Sequence, residues 1–123
     1  MDYIKIMELP SHQRAVLKAQ KAWAALAMVA IREEKLTYQQ LGEIIHHPHR
    51  RLMPIITYIG RFCHIHHLPY LPVICVRKDT GWPGGGFENP QKDTEAVYLF
   101  AWEEYPTPSI EMLLDAYKRY EVL

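Results

Sequence analysis

Residues 36–67, LTYQQLGEIIHHPHRRLMPIITYIGRFCHIHH, decide the fold. Thr37 and Gln40 stand at the Thr-x-x-Gln spacing of a capping box, in which each side chain accepts the other's backbone amide, and Leu36 and Leu41 occupy the two positions of a hydrophobic staple. Two independent devices thus predict one helix start. The helix Tyr38–Ile45 is short and stops before His46-His47-Pro48, because the residue ahead of a proline disfavours helical geometry. A second helix is predicted from Arg51 or Met53 to about His66, with Pro54 tolerated in its first turn, where an amide is unpaired anyway. Ile55, Ile56, Ile59, Phe62 and Cys63 make its apolar stripe. Arg50, Arg51, Thr57, Arg61 and His64 are left toward solvent. A capped short helix, a turn and a helix with a basic exposed side form the pattern of a helix-turn-helix, whose second helix enters a groove of nucleic acid.

Upstream, Pro10-Ser11 supplies a stop and an N-cap, and Val16, Ala19, Trp23, Leu26 and Ala30 recur at helical spacing, so a scaffold helix is predicted from His12 to about Glu34. Met1 to Leu9 reads as a short mixed, extended segment. Downstream, Leu71 to Val76 is rich in β-branched residues and reads as a strand, followed by the turn signal Lys78-Asp79-Thr80-Gly81 and the loop Trp82 to Phe87. The glycines of that loop match neither a dinucleotide nor a Walker fingerprint. Glu95 to Trp102, aromatic and β-branched, is predicted to pair with Leu71 to Val76 as a second strand. Thr107 as N-cap and Pro108 at the first helical position open a closing helix faced by Ile110, Leu113, Leu114 and Tyr117. The expected architecture is α+β: a mainly helical winged helix-turn-helix with a small antiparallel β wing and a C-terminal helix. It occupies one domain, residues 1–123, divided as scaffold (1–35), helix-turn-helix plus wing (36–87), and strand with closing helix (88–123).

The chain of 123 residues is long enough to bury about two thirds of its unfolded surface and has a globular composition. Two cysteines are too few for a disulfide framework, no signal peptide is evident, and the longest apolar run, Ala22 to Ile31, is about half a bilayer span, so a cytoplasmic, non-membrane protein is expected. The zero net charge conceals an asymmetry: the balances are +2 for residues 1–35, +4 for 36–78 and −6 for 79–123. A basic middle suits a phosphate backbone, and an acidic tail third suits a basic protein.

Around Thr37-Tyr38-Gln39-Gln40-Leu41, with Pro48, Pro72 and Gly81 at corresponding spacing, residues 36–86 resemble the DNA-binding domain of the O6-alkylguanine-DNA alkyltransferases and the alkyltransferase-like proteins. That resemblance implies a winged helix-turn-helix that binds the minor groove and flips a damaged base, with Tyr38 near the target phosphate. The position aligned with the family's nucleophilic cysteine is Val73, the one aligned with its histidine is Ile74, and Leu52 replaces its gap-filling arginine, so alkyl transfer does not carry over. Leu68 to Phe87 also resembles small bacterial and mobile-element proteins, which implies an accessory role such as a phage inhibitor or a toxin immunity protein.

The expected function is non-enzymatic DNA binding, in an accessory or regulatory role. Arg50, Arg51, Arg61, Arg77 and Lys78 would hold phosphates, while Tyr38 and Thr57 position or read. The alternative is a protein-binding inhibitor that covers a basic partner, such as a nuclease, with Trp82, Phe87, Trp102 and Tyr105 as anchors and Glu103 and Glu104 as charges. Two histidine groups, His46/His47/His49 and His64/His66/His67, invite a zinc reading with Cys63, but no CxxC or HExxH accompanies them. No metal, cofactor or catalytic residue is expected.

Overall fold

The structure, a computed structural model, describes residues 10–122; the extended segment expected before residue 10 lies outside them. It is mostly helical. The elements in order are α1 (Pro10–Ile31), β1 (Leu36–Thr37), α2 (Tyr38–Ile45), α3 (Met53–Ile65), β2 (Cys75–Val76), α4 (Pro90–Leu99) and α5 (Ile110–Glu121), with single turns of 3-10 helix between several of them.

The boundaries of α2 and α3 follow the local chemistry. The Thr37 hydroxyl accepts the Gln40 amide at 3.1 Å, and the Thr37 amide donates to the Gln40 side-chain carbonyl at 2.9 Å, so the capping box forms in both directions. Leu36 and Leu41 are both buried, as the staple requires. Pro54 sits in the first turn of α3. The scaffold helix α1 buries Val16, Ala19, Trp23, Leu26 and Ala30, and packs against α2, α3 and α5. It ends at Ile31, three residues earlier than expected, where Glu33 takes a left-handed backbone (φ 54°) and the Glu34 amide reaches back to the Val29 carbonyl at 3.0 Å.

The strand pairing departs from the expected antiparallel wing. The two-stranded sheet is parallel, pairing Leu36 with Cys75 and Thr37 with Val76, not an antiparallel pairing of Leu71–Val76 with Glu95–Trp102. Parallel strands need a long crossover, and α2 with α3 supply it. Leu71–Ile74 is a turn of 3-10 helix, fully buried against the core, and only Cys75–Val76 is extended. Glu95 to Leu99 belongs to α4, because Asn89 caps the Lys92 amide at 3.1 Å and Pro90 occupies the first turn. A strong local start thus overrides the β propensity of the following residues. The closing helix is capped by Ser109, which accepts the Met112 amide, not by Thr107. Pro108 instead is buried and offers its carbonyl to Gln20. Among the described residues no helix is long and apolar enough to cross a membrane.

Candidate nucleic-acid interface

The turn between α2 and α3 is built on a close approach. Past the left-handed His46 (φ 55°), the His47 amide returns to the Gly42 carbonyl at 2.9 Å. The His47 ring then joins three segments: its Nδ1 lies 3.0 Å from Lys18 Nζ on α1, and its Nε2 lies 2.9 Å from the Arg51 carbonyl. A carbonyl only accepts, so Nε2 carries the hydrogen and Nδ1 accepts from the ammonium. Lys18 also donates to the His46 carbonyl at 3.1 Å. Held in this way, the 3-10 turn His49–Arg51 presents all three side chains to solvent, and Arg50 and Arg51 have no ion-pair partner among the described residues.

The β1–β2 register brings a distant segment beside this turn. Tyr38 follows Thr37 and Arg77 follows Val76, so the two residues leave paired positions together. Tyr38, His49, Arg77 and Lys78 line one depression of about 300 Å³. Lys78 is exposed there. Arg77 is held by Asp79 in a bidentate pair (3.1 and 2.9 Å), which neutralises its charge locally.

The other two predicted contacts lie on α3. The Thr57 hydroxyl donates to the Met53 carbonyl at 2.7 Å and keeps its lone pairs outward. Arg61 is not left toward solvent: it donates to the Tyr117 carbonyl at 3.1 Å and to Glu121 at 3.2 Å, and its guanidinium lies 4.0 Å over the Tyr117 ring. Its chemistry is spent first on α5.

A larger cleft, about 510 Å³, adjoins Tyr38 on the other side, walled by Tyr38, Ile56, Tyr70, Phe87 and the glycines 84–86. The Gly84 amide donates to the Tyr38 hydroxyl at 3.1 Å, tying the glycine loop to the start of α2. Tyr70 meets Phe87 edge-on at 5.5 Å and rests on Gly60, where any side chain would collide with its ring. Burial, and after it the neighbouring Cys63, pushes the Tyr70 phenol above its ordinary value. Tyr70 is the residue sequence reasoning missed; the signal was Gly60 on an otherwise bulky helix, which marks a ring approaching from elsewhere. Val73, Ile74 and Cys75 face the core and are fully buried, and only Pro72 of that segment reaches the cleft. Burial pushes the Cys75 thiol up to about 12, the opposite of what an attacking thiolate requires.

The aromatic residues of the alternative interface are divided. Trp102 is a core residue, T-shaped against Trp23 at 5.8 Å with its indole N–H on the Val97 carbonyl, so it cannot anchor a partner. Tyr105 packs on Trp23 and Phe62, and Phe87 lines the cleft. Trp82 is 38 % exposed under the Lys35 ammonium, and Glu103 and Glu104 are exposed. Nor do the histidine groups converge: Cys63 points inward while His66 and His67 point out, and no group of three or more potential metal ligands assembles among the described residues.

No family model, curated protein or solved structure matches this chain.

Proposed function

We propose that the protein binds nucleic acid through this helix-turn-helix, as an accessory or regulatory factor that performs no chemistry on it. The observation that carries the reading is the exposed pair Arg50 and Arg51, without ion-pair partners among the described residues, in the turn whose His49 lines one depression together with Tyr38, Arg77 and Lys78 from two other segments. Such a set suits a phosphate backbone, where cations and hydroxyls position the ligand. The adjoining aromatic cleft, apolar and beside the phosphate-binding edge, suits the flat face of an unpaired base.

Fluorescence anisotropy of labelled DNA at a series of salt concentrations tests this. The expected result is binding that weakens steeply with salt. The double substitution Arg50→Ala and Arg51→Ala should lower affinity at least tenfold and flatten the log–log salt slope by about 2 on duplex DNA, since each lost phosphate contact removes roughly 0.9. Unchanged affinity and slope in the double variant would overturn the assignment.

A further inference from the structure

Met53, Thr57 and His64 reach the surface along one side of α3, at spacings of four and seven, and form a stripe with the buried Ile56 and Gly60 beside it. Three depressions border that stripe. The 510 Å³ cleft lies on the side of Tyr38, Tyr70 and Phe87. A second depression, of about 500 Å³, lies on the side of His12, Tyr58 and Tyr117. The third, about 310 Å³, crosses the far end of the stripe between Tyr70 and Tyr120, with Gly60, Arg61 and His64 in its floor. They are contiguous: the first two share Met53, the second and third share Thr57, and the first and third share Tyr70.

Resting on the nucleic-acid reading above, we infer that the ligand is an unpaired strand of DNA or RNA that crosses the surface of α3 with its bases against Tyr38, Tyr70, Phe87 and Tyr120. On the other flank Tyr58 and Tyr117 stack on each other, and Arg61 covers Tyr117, so the open rings are those of the larger cleft and Tyr120. Each base of a single strand offers a face to such a ring. From Met53 to His64 the helix rises about 17 Å, the length of roughly five stacked nucleotides at 3.4 Å each. Charge agrees with this occupant. Arg50 and Arg51 stand at one end without ion-pair partners among the described residues, Arg61 in the third depression is held by Glu121, and Asp93 is the only carboxylate that lines the three depressions among the described residues. An acidic or aliphatic peptide would leave the phenols and imidazoles without the matching planar partners.

The test compares a labelled, unstructured 15-mer of DNA, the same sequence in RNA, and its DNA duplex, by anisotropy at low and at physiological salt. At least one single strand should bind ten times more tightly than the duplex, or better. Tyr120→Ala should weaken single-strand binding by about fivefold to a hundredfold, the range for one lost stacking partner, while Tyr120→Phe, which keeps the ring, retains it. Thr57→Glu, a surface change to a good helix former, places a carboxylate between two of the depressions and should cost tenfold or more. Duplex bound as tightly as single strand, or single-strand binding indifferent to both Tyr120→Ala and Thr57→Glu, would overturn this inference and leave the phosphate-binding edge standing. No binding to any of the three would overturn both.

Discussion

A methyl group on Gly42 would stand 2.6 Å from the His47 carbonyl oxygen and 3.3 Å from the His49 Cα, both of them backbone. Backbone held by Lys18 and by the His47 ring cannot yield as a side-chain tip would, so the turn itself must shift. Gly42→Ala is expected to destabilise the fold by about 1–3 kcal/mol despite alanine's better helix propensity, because overpacking exceeds the roughly 1 kcal/mol that propensity returns. Thermal unfolding monitored by circular dichroism checks this; an unchanged or raised midpoint would mean that the turn is looser than its contacts imply. This requirement is invisible locally. Thr37 and Gln40 announce their bond by spacing, whereas Gly42 is marked only by a carbonyl five residues away.

Among the elements, α3 and α5 form the most extensive helix pair, and Arg61 joins them. Its ion pair with Glu121 involves a carboxylate side chain 55 % exposed, so it adds little. The bond to the Tyr117 carbonyl, near the C-terminal end of α5, and the stacking on Tyr117 matter more: a cation there meets the negative end of the helix. Arg61→Ala should lower stability by about 1–3 kcal/mol in urea unfolding, and Arg61→Lys should recover less than half of it, since lysine has no planar fork to stack. Equal stability of the alanine variant would sink this account. Element type was legible at the Thr37–Gln40 capping box, whereas the strand expected over Glu95 to Trp102 rested on β propensity alone, and the Asn89 cap with Pro90 in the first turn starts a helix there instead.

Across the whole molecule, one cluster of buried residues joins α1, α2, α3 and α5 around Trp23, and it encloses both cysteines. Burial pushes the thiols of Cys63 and Cys75 and the phenol of Tyr58 up to about 12 each, the last also through Tyr117. The folded state holds these groups neutral beyond the pH at which the unfolded chain ionises them. Their contribution is therefore complete below about pH 9 and is lost as pH rises toward 12. The thermal midpoint should stay level from pH 7 to 9 and fall steeply above it. In parallel, a thiol reagent at pH 8 should label neither cysteine until urea unfolds the chain. Rapid labelling of the native protein would show that the segment after Pro72 opens.

Local chemistry by itself determined the helices α2 and α3, because capping boxes, staples and first-turn prolines act within four or five residues and compete with nothing distant. The same local pattern put Arg50, Arg51 and Arg61 all toward solvent, and of the three only Arg50 and Arg51, inside the 3-10 turn His49–Arg51, stand free of ion pairs among the described residues. Only the tertiary structure decided that β1 pairs with β2 in parallel, that Arg61 belongs to α5, that Trp102 is core, and that Tyr70 lies on Gly60. Each of those contacts joins residues far apart in the chain. Their energy comes from packing and backbone pairing between whole elements, which no periodicity in a single stretch encodes.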